Sequence, residues 1–242
     1  MSQDDESGRR VLEDVLDEVL SFNYRSLRTL RDIFLRPGAV ARSFLSGDRD
    51  TYTPPMRVWF GVVSWMFLLS IIWGGFGEVI LRGFLAMGQS LDQIIIAGRR
   101  DMVAMTNTVS AVAGTLSVPI TSAFILIGIP ILRRFRPRLS LITATQCYFI
   151  PVSALAVSST LFLLLSTFDA RALLYAGPVN FVLVFLVAYP VIRAGFADST
   201  ALALLKTALL ATVIFILSML ANIVTFMLAI RYALEVVHPA VI

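Results

Sequence analysis

Residues 58–76 read VWFGVVSWMFLLSIIWGGF and carry no charged side chain. A helix needs about 20 apolar residues to cross the hydrocarbon core of a bilayer, so this stretch predicts a transmembrane helix. The composition agrees, with 57% hydrophobic residues, 15% charged residues and a mean hydropathy of +0.83. Soluble domains contain about 45–50% apolar and about 25% charged residues. The chain is therefore predicted to be an integral membrane protein.

Four further apolar stretches have the length of membrane spans. We predict an all-α, polytopic helical membrane protein with about five transmembrane helices, at 58–76, 108–132, 141–166, 173–192 and 201–230. Residues 1–57 then form a cytoplasmic and juxtamembrane amphipathic region, and 58–242 form the transmembrane domain. Residues 77–107 contain too many polar side chains for a comfortable span, and are predicted as an interfacial helix or a re-entrant hairpin.

The region before the first span has a helical pattern from Val11 onward. Its second half places Leu27, Leu30, Ile33 and Phe34 on one stripe, with arginines facing away. Such a helix either lies on the membrane surface or packs on the protein's own cytoplasmic face. A short helix over residues 39–46 is expected next, with Gly47 as a left-handed cap and Tyr52 in the interfacial aromatic belt. The opening MSQDDESGRR has no apolar core, so no cleaved signal peptide is expected.

Basic side chains give the orientation, since short cytoplasmic loops are enriched in Arg and Lys. The chain has 20 basic residues, all of them Arg except Lys206. Residues 21–57 and the link RRFRPRLS at 133–140 are Arg-rich, whereas the alternate loops carry fewer basic residues. The N-terminus is thus predicted inside and the C-terminus outside, with Lys206 snorkelling at one end of the last span.

Residues 25–55 read RSLRTLRDIFLRPGAVARSFLSGDRDTYTPP and run directly into the first span. This segment resembles an uncharacterised family of bacterial polytopic membrane proteins, classed as a domain of unknown function. The residues that match its motif are Arg36, Pro37, Gly38, Arg42, Gly47, Arg49, Tyr52 and Pro55. The resemblance implies a bacterial membrane protein and no particular activity. Family members often begin with a four-cysteine zinc ribbon, which this chain lacks, so no zinc is implied.

No set of catalytic residues is evident, and the chain is predicted not to be an enzyme. Its single histidine, His238, lies near the C-terminus, and its single cysteine, Cys147, lies inside an apolar run. A zinc site, a Ser-His-Asp triad and a Cys-His pair all lack members. No glycine-rich phosphate-binding motif is present, so no cofactor or metal is expected. The arginines flank membrane spans and form no separate basic domain, which argues against nucleic-acid binding.

Polar residues inside spans are the usual functional candidates in a membrane protein. The chief ones here are Gln146, Asn180 and Asn222, none of which ionises. Amides in membranes more often hold helices together, which is the favoured interpretation. The alternative is a small transporter or permease for a neutral or amphipathic solute, in which these three side chains would face one cavity beside the proline-kinked helices.

The leading hypothesis is a non-enzymatic scaffold or accessory protein of a bacterial inner membrane. It would engage lipid head groups, including anionic ones, or a partner protein or second copy of itself at the cytoplasmic face. The residues predicted to do so are Arg36, Arg42, Arg49, Tyr52, Arg57, Arg133, Arg134, Arg136 and Arg138.

Overall fold

The computed structural model describes residues 24–48, 50–72, 102–166, 168–169 and 171–237. These ranges form eight helices and no strand: α1 Tyr24–Leu35, α2 Pro37–Leu45, α3 Pro55–Ile72, α4 Met102–Ile127, α5 Ile129–Phe135, α6 Leu141–Ser166, α7 Ala172–Gly195 and α8 Thr200–Val236. The predictions for residues 1–23, for Arg49, for 73–101 and for His238 fall outside the described residues.

The membrane-spanning character is confirmed by helix length and hydropathy. Within the described ranges four stretches are long and apolar enough to cross a membrane, namely Asn107–Phe135, Leu141–Ser166, Ala172–Gly195 and Thr200–Val236. A shorter apolar helix covers Pro55–Leu69, where the first span was predicted. The all-α polytopic fold is therefore as predicted.

Local sequence signals explain most helix boundaries. The predicted third span at 141–166 coincides with α6. Helix α2 begins at Pro37, two residues before the predicted start, because proline fits the first turn of a helix, where its missing N–H is not needed. Gly47 has a φ of 86°, which confirms the left-handed residue predicted after this helix. Pro130 lies at the start of α5, so the predicted second span is divided into α4 and α5.

Helix α6 lies at the centre of the molecule and contacts α1, α2, α3, α5 and α7. Its residues 147–156 are all buried. Aromatic rings fill the space toward α3, where the ring of Trp59 meets that of Phe149 edge to face at 5.2 Å between centroids. Tyr148 packs edge to face on Phe149 at 5.9 Å. This core positions the helices that pack around the first half of α6.

Helix α4 packs along α8 and contacts α3 only slightly. The interface between α4 and α8 buries Met105, Val109 and Ala113 against Ala229 and Ala233. Small side chains allow two membrane helices to approach closely, which is the usual way such pairs are held together. Helix α8 also packs on α7, so it joins α4 to the central core.

Candidate functional site

Helix α1 turns a polar face toward the rest of the protein. Ser26, Thr29 and Asp32 are buried together with Ile33. Leu27, in the predicted apolar stripe, is 53% exposed, and Phe34 is exposed as well. The predicted stripe is thus divided, since Ile33 is fully buried whereas Leu27 and Phe34 are exposed. Helix α1 therefore packs on the protein through its polar face, and its exposed apolar side chains remain available to lipid.

The polar face of α1 holds the link that leads into α3. The backbone N–H of Thr53 donates to Thr29 Oγ1 at 2.9 Å, and that hydroxyl donates to the carbonyl of Arg25 at 2.8 Å. The Arg25 guanidinium in turn donates from Nη2 to the carbonyl of Tyr52 at 2.9 Å. Ser26 and Thr53 share a hydroxyl contact of 3.3 Å. These bonds hold residues 52 and 53 against α1 across more than 20 residues of sequence.

Tyr52 and Asp32 form the buried centre of this arrangement. The Tyr52 hydroxyl donates to Asp32 Oδ2 at 3.2 Å, and Arg31 binds Asp32 Oδ1 at 2.9 Å. Tyr52 is only 7% exposed, so it is part of the folded core and is not in the interfacial belt as predicted. Arg28 lies over its ring at 5.6 Å. Burial, and secondarily the charge of Asp32, raise the pKa of Tyr52 above its usual value, while Arg28 and Arg36 oppose the shift.

Asp48 organises the turn between α2 and α3. Its Oδ2 accepts from Thr51 Oγ1 at 2.6 Å and its Oδ1 accepts from the Asp50 backbone N–H at 2.9 Å. It also accepts from the Thr51 N–H, and Ser43 Oγ lies 3.2 Å from Oδ2. These bonds favour the carboxylate, with that from the Thr51 side chain first, and they lower the pKa of Asp48 from 3.8 to about 2.

The Asp48 turn is expected to weaken in acid. A group whose pKa is lowered by folding stabilises the native state above its unfolded pKa of 3.8, and this contribution is lost as the pH falls through about 2. The thermal unfolding temperature of the wild type should therefore fall more steeply below pH 4 than that of an Asp48→Asn variant. The other carboxyl groups titrate in both proteins, so the difference between the two curves reports Asp48 alone. Parallel curves would show that this carboxylate does not support the turn.

Helix α2 is inserted between α1 and the bundle, where it contacts α6 and α7. Val40 and Ala41 are fully buried. The closest approach is at Gly38, where an added Cβ would lie 3.0 Å from the Pro190 carbonyl oxygen and 3.3 Å from the Pro190 Cβ. A side chain at position 38 would require Pro190 to shift by a few tenths of an ångström, so Gly38 allows α2 to sit close against α7.

Contacts bring the Arg-rich segments to one end of the bundle. The Met56 N–H donates to Gln146 Oε1 at 3.4 Å, which joins the start of α3 to the start of α6. Arg136 Nη1 donates to the carbonyl of Gly195 at 3.2 Å, which joins the link before α6 to the end of α7. We call this region the basic end. Its exposed arginines are Arg36, Arg42, Arg57, Arg133, Arg134, Arg136, Arg138 and Arg193.

Lys206 lies at the same end and has a structural role that hydropathy alone does not indicate. Its Nζ donates to the carbonyl of Phe196 at 2.6 Å and to that of Phe135 at 3.4 Å. Phe196 caps α7 and Phe135 ends α5, so one ammonium group satisfies carbonyls at two helix C-termini. Lys206 was predicted to snorkel toward the membrane surface, and its ammonium group binds backbone oxygens of neighbouring helices there.

Residues 25–67 match a family model described as "Protein of unknown function (DUF3667)". The matched segment covers α1, α2, the Asp48 turn and most of α3, and so contains both the Tyr52–Asp32 centre and Gly38. No curated protein and no solved structure matches the chain. The similarity to an uncharacterised family agrees with the resemblance noted from the sequence, and it assigns no activity.

The three intramembrane amides do not share one cavity. Gln146 lies beside the matched segment, lining a small recess with Phe44, Gly47 and Pro54. Asn180 and Asn222 line a separate, larger cavity. Gln146 and Asn180 are both paired, Gln146 with the backbone of α3 and Asn180 with Ser159. The transporter hypothesis required all three amides in one cavity, and Gln146 lies outside the cavity of the other two. Gln146 instead joins α6 to α3 through its hydrogen bond with Met56.

Metal ligands do not cluster in the described part of the chain. Among those residues no group of three or more His, Cys, Asp or Glu side chains could hold an ion. Cys147 is buried in the core beside the basic end. The functional groups that the basic end presents to a ligand are therefore chiefly the guanidinium groups of its exposed arginines.

Proposed function

We propose that the protein is a non-enzymatic scaffold or accessory protein of a bacterial inner membrane, which binds anionic lipid head groups at its basic end. The observation that supports this proposal is the convergence of exposed arginines there. Among the described residues, no carboxylate lies within ion-pair distance of Arg42, Arg57, Arg133, Arg134 or Arg138. Guanidinium groups bind phosphate oxygens with paired hydrogen bonds, which suits phospholipid head groups.

The frame beneath these arginines supports a head-group role. The network of Tyr52 and Asp32 fixes α1 against the link, and Gly38 seats α2 against α7. Arg42 and Arg57 project from α2 and from the first turn of α3, whose positions are therefore set before any ligand arrives. A preorganised site loses less conformational entropy on binding than a flexible one, so its affinity is higher for the same contacts.

The basic end is proposed to face the cytoplasm. Cytoplasmic flanks of membrane proteins carry an excess of Arg and Lys, and the inner leaflet is the anionic surface that they contact. Helices α3, α6 and α8 begin at this end, while Arg171 and Arg231 belong to the other. Under this proposal the N-terminus is inside and the C-terminus outside, which is the orientation predicted from the sequence.

A charge-removal experiment tests the proposal. Within the described part of the chain, Arg42 and Arg57 make no side-chain hydrogen bond or ion pair, so replacing both by Gln removes two charges with little effect on the fold. Each charge near an anionic leaflet contributes up to about 1 kcal/mol. After screening by salt we expect the affinity for phosphatidylglycerol, measured by native mass spectrometry or in nanodiscs, to fall about tenfold.

The matched control removes two charges from the opposite end, with Arg171→Gln and Arg231→Gln. Both side chains are exposed, so the net charge changes equally while the basic end is untouched. The control should bind phosphatidylglycerol with the affinity of the wild type. The affinity for phosphatidylcholine, which has no net charge, should be unchanged in both double variants. Equal losses in both double variants, or no loss in either, would contradict a head-group site at the basic end.

A further inference from the structure

A partly open cavity of about 400 Å³ lies between α3 and α4 on one side and α6, α7 and α8 on the other. Ligand sites in proteins are commonly about 300–1,000 Å³. Its walls are largely apolar and include Trp59, Val63, Phe162 and Phe215. At about 30 Å³ for a group the size of a water molecule, the space accommodates about a dozen methylene-sized groups. It is therefore large enough for one alkyl chain and too small for a two-chain phospholipid.

Hydrogen-bonding groups line one region of this cavity. Asn180 is only 8% exposed, and its Nδ2 donates to Ser159 Oγ at 3.2 Å. Within the described chain its Oδ1 accepts no hydrogen bond, and the buried Oγ of Ser218 on α8 has no partner either. Asn222 completes the polar group, with its Nδ2 donating to the Ser218 carbonyl at 2.9 Å.

Two unpartnered polar groups inside a membrane domain are energetically unfavourable. The hydrocarbon core supplies no water, and an unpaired buried amide or hydroxyl costs about 1–3 kcal/mol. Asn180 and Ser218 belong to adjacent helices, which pack through the rings of Phe181 and Phe215 at 5.6 Å. A single ligand hydroxyl both donates and accepts, so it can donate to the amide oxygen and accept from the serine hydroxyl, both of which belong to residues that line this cavity.

The charge of the lining sets the ligand class. None of the residues that line the cavity ionises. An ionised head group would lose its hydration without gaining a counter-ion, which excludes fatty-acid anions and phosphates. Asn180 precedes Arg193 by 13 residues of α7, about 20 Å along a helix, so this site is distinct from the basic end.

We propose that this cavity binds an uncharged, single-chain amphiphile whose hydroxyl head group is held by Asn180 and Ser218. The alkyl chain runs along the apolar walls toward Trp59. Trp59 lies only one turn from the start of α3 and so at the level nearer the basic end. The bound molecule therefore lies with its head deep in the bundle and its tail toward the Arg-rich surface.

Trp59 provides the reporter for a direct test. Of the three tryptophans, Trp65 and Trp73 are replaced by Phe, which leaves Trp59 as the only source of tryptophan fluorescence. The probe is dodecanol brominated at the tail end, because bromine quenches a nearby indole. The comparison probe is bromododecane, which lacks the hydroxyl. Saturable quenching by the alcohol at lower concentration than by the alkane is expected.

Two substitutions locate the site. Asn180→Leu keeps the branched shape of the side chain and removes the amide, and should weaken binding of the alcohol about tenfold without weakening binding of the alkane. Gly177→Leu should abolish saturable quenching, because a Cβ there meets only Phe215, at 3.9 Å, and the longer side chain extends into the cavity. Val182→Leu is the matched control, since Val182 lies on the same helix, is 54% exposed and does not line the cavity.

The possible results separate cleanly. Quenching that rises linearly with probe concentration, and equally in Gly177→Leu and Val182→Leu, would overturn the cavity as a binding site. Equal affinities for the alcohol and the alkane, unaffected by Asn180→Leu, would overturn the assignment of the head group. If Gly177→Leu does not fold, as judged by its melting curve without probe, Ser218→Ala replaces it, and a loss of the alcohol's advantage is then required.

Discussion

Replacing Gly38 by Val is expected to separate α2 from α7 and to destabilise the protein by about 3 kcal/mol or more. A Cβ at this position would lie 3.0 Å from the Pro190 carbonyl oxygen, which is backbone and cannot rotate away. Overpacking of this kind typically costs about 1–3 kcal/mol, and the displacement would also remove the buried contacts of Val40 and Ala41. The loss should open the core beneath the basic end.

Cys147 makes this opening measurable without further engineering. It is the only cysteine of the chain and is fully buried in the core that α2 covers. Labelling by a membrane-impermeant maleimide should be very slow in the wild type and much faster in Gly38→Val. Ala39→Val is the control, because Ala39 is the next residue of the same helix and is only partly buried. If both variants protect Cys147 as the wild type does, α2 is not held at Gly38.

Hydropathy and local signals predicted the framework of the protein. The spans could be read from the sequence because lipid exposure requires long apolar helices whatever they pack against. The boundaries of α6 and the left-handed Gly47 depend only on nearby residues, and the structure confirms both. The convergence of Arg-rich segments at one end likewise follows from span number alone.

The inward face of α1 could not be predicted in the same way. Hydropathy leaves open whether Leu27 and Phe34 face lipid or the protein, and it does not indicate that Thr29 and Asp32 are buried. The reason is that their partners, Tyr52 and Thr53, are contributed by a turn more than 20 residues later. A polar face becomes an interior face only when such partners are present, and periodicity carries no information about them.

Pairing of the intramembrane amides depends on equally distant contacts. Gln146 bonds the backbone of Met56, which is 90 residues away, and Asn180 bonds Ser159 across two helices. The sequence identified these side chains as candidates but could not assign them to a common or a separate site. Lys206 is similar, since its acceptors lie on the ends of α5 and α7.

Asp32→Ala is expected to be the second most damaging single change, at about 2–4 kcal/mol. The carboxylate is 4% exposed and accepts from the Tyr52 hydroxyl and from Arg31. Its removal leaves the buried Tyr52 hydroxyl without its acceptor and breaks the ion pair with Arg31. Loss of an acceptor from a buried donor costs about 1–3 kcal/mol, and a hydrogen bond to a charged group contributes about 1.5–3 kcal/mol. Arg31 is largely exposed, so solvent screens its part of the loss.

A double-mutant cycle separates this network from simple loss of packing. Tyr52→Phe removes only the hydroxyl and should cost about 1 kcal/mol, because the ring remains in place under Arg28. Adding Tyr52→Phe to Asp32→Ala should then cost almost nothing further, since the hydroxyl has already lost its acceptor. Thermal unfolding in a fixed detergent gives all four values, and labelling of Cys147 reports whether the damage reaches the core. Additive losses would mean that Asp32 and Tyr52 act independently, and that the other bonds from Arg25, Ser26 and Thr29 hold α1 to the link.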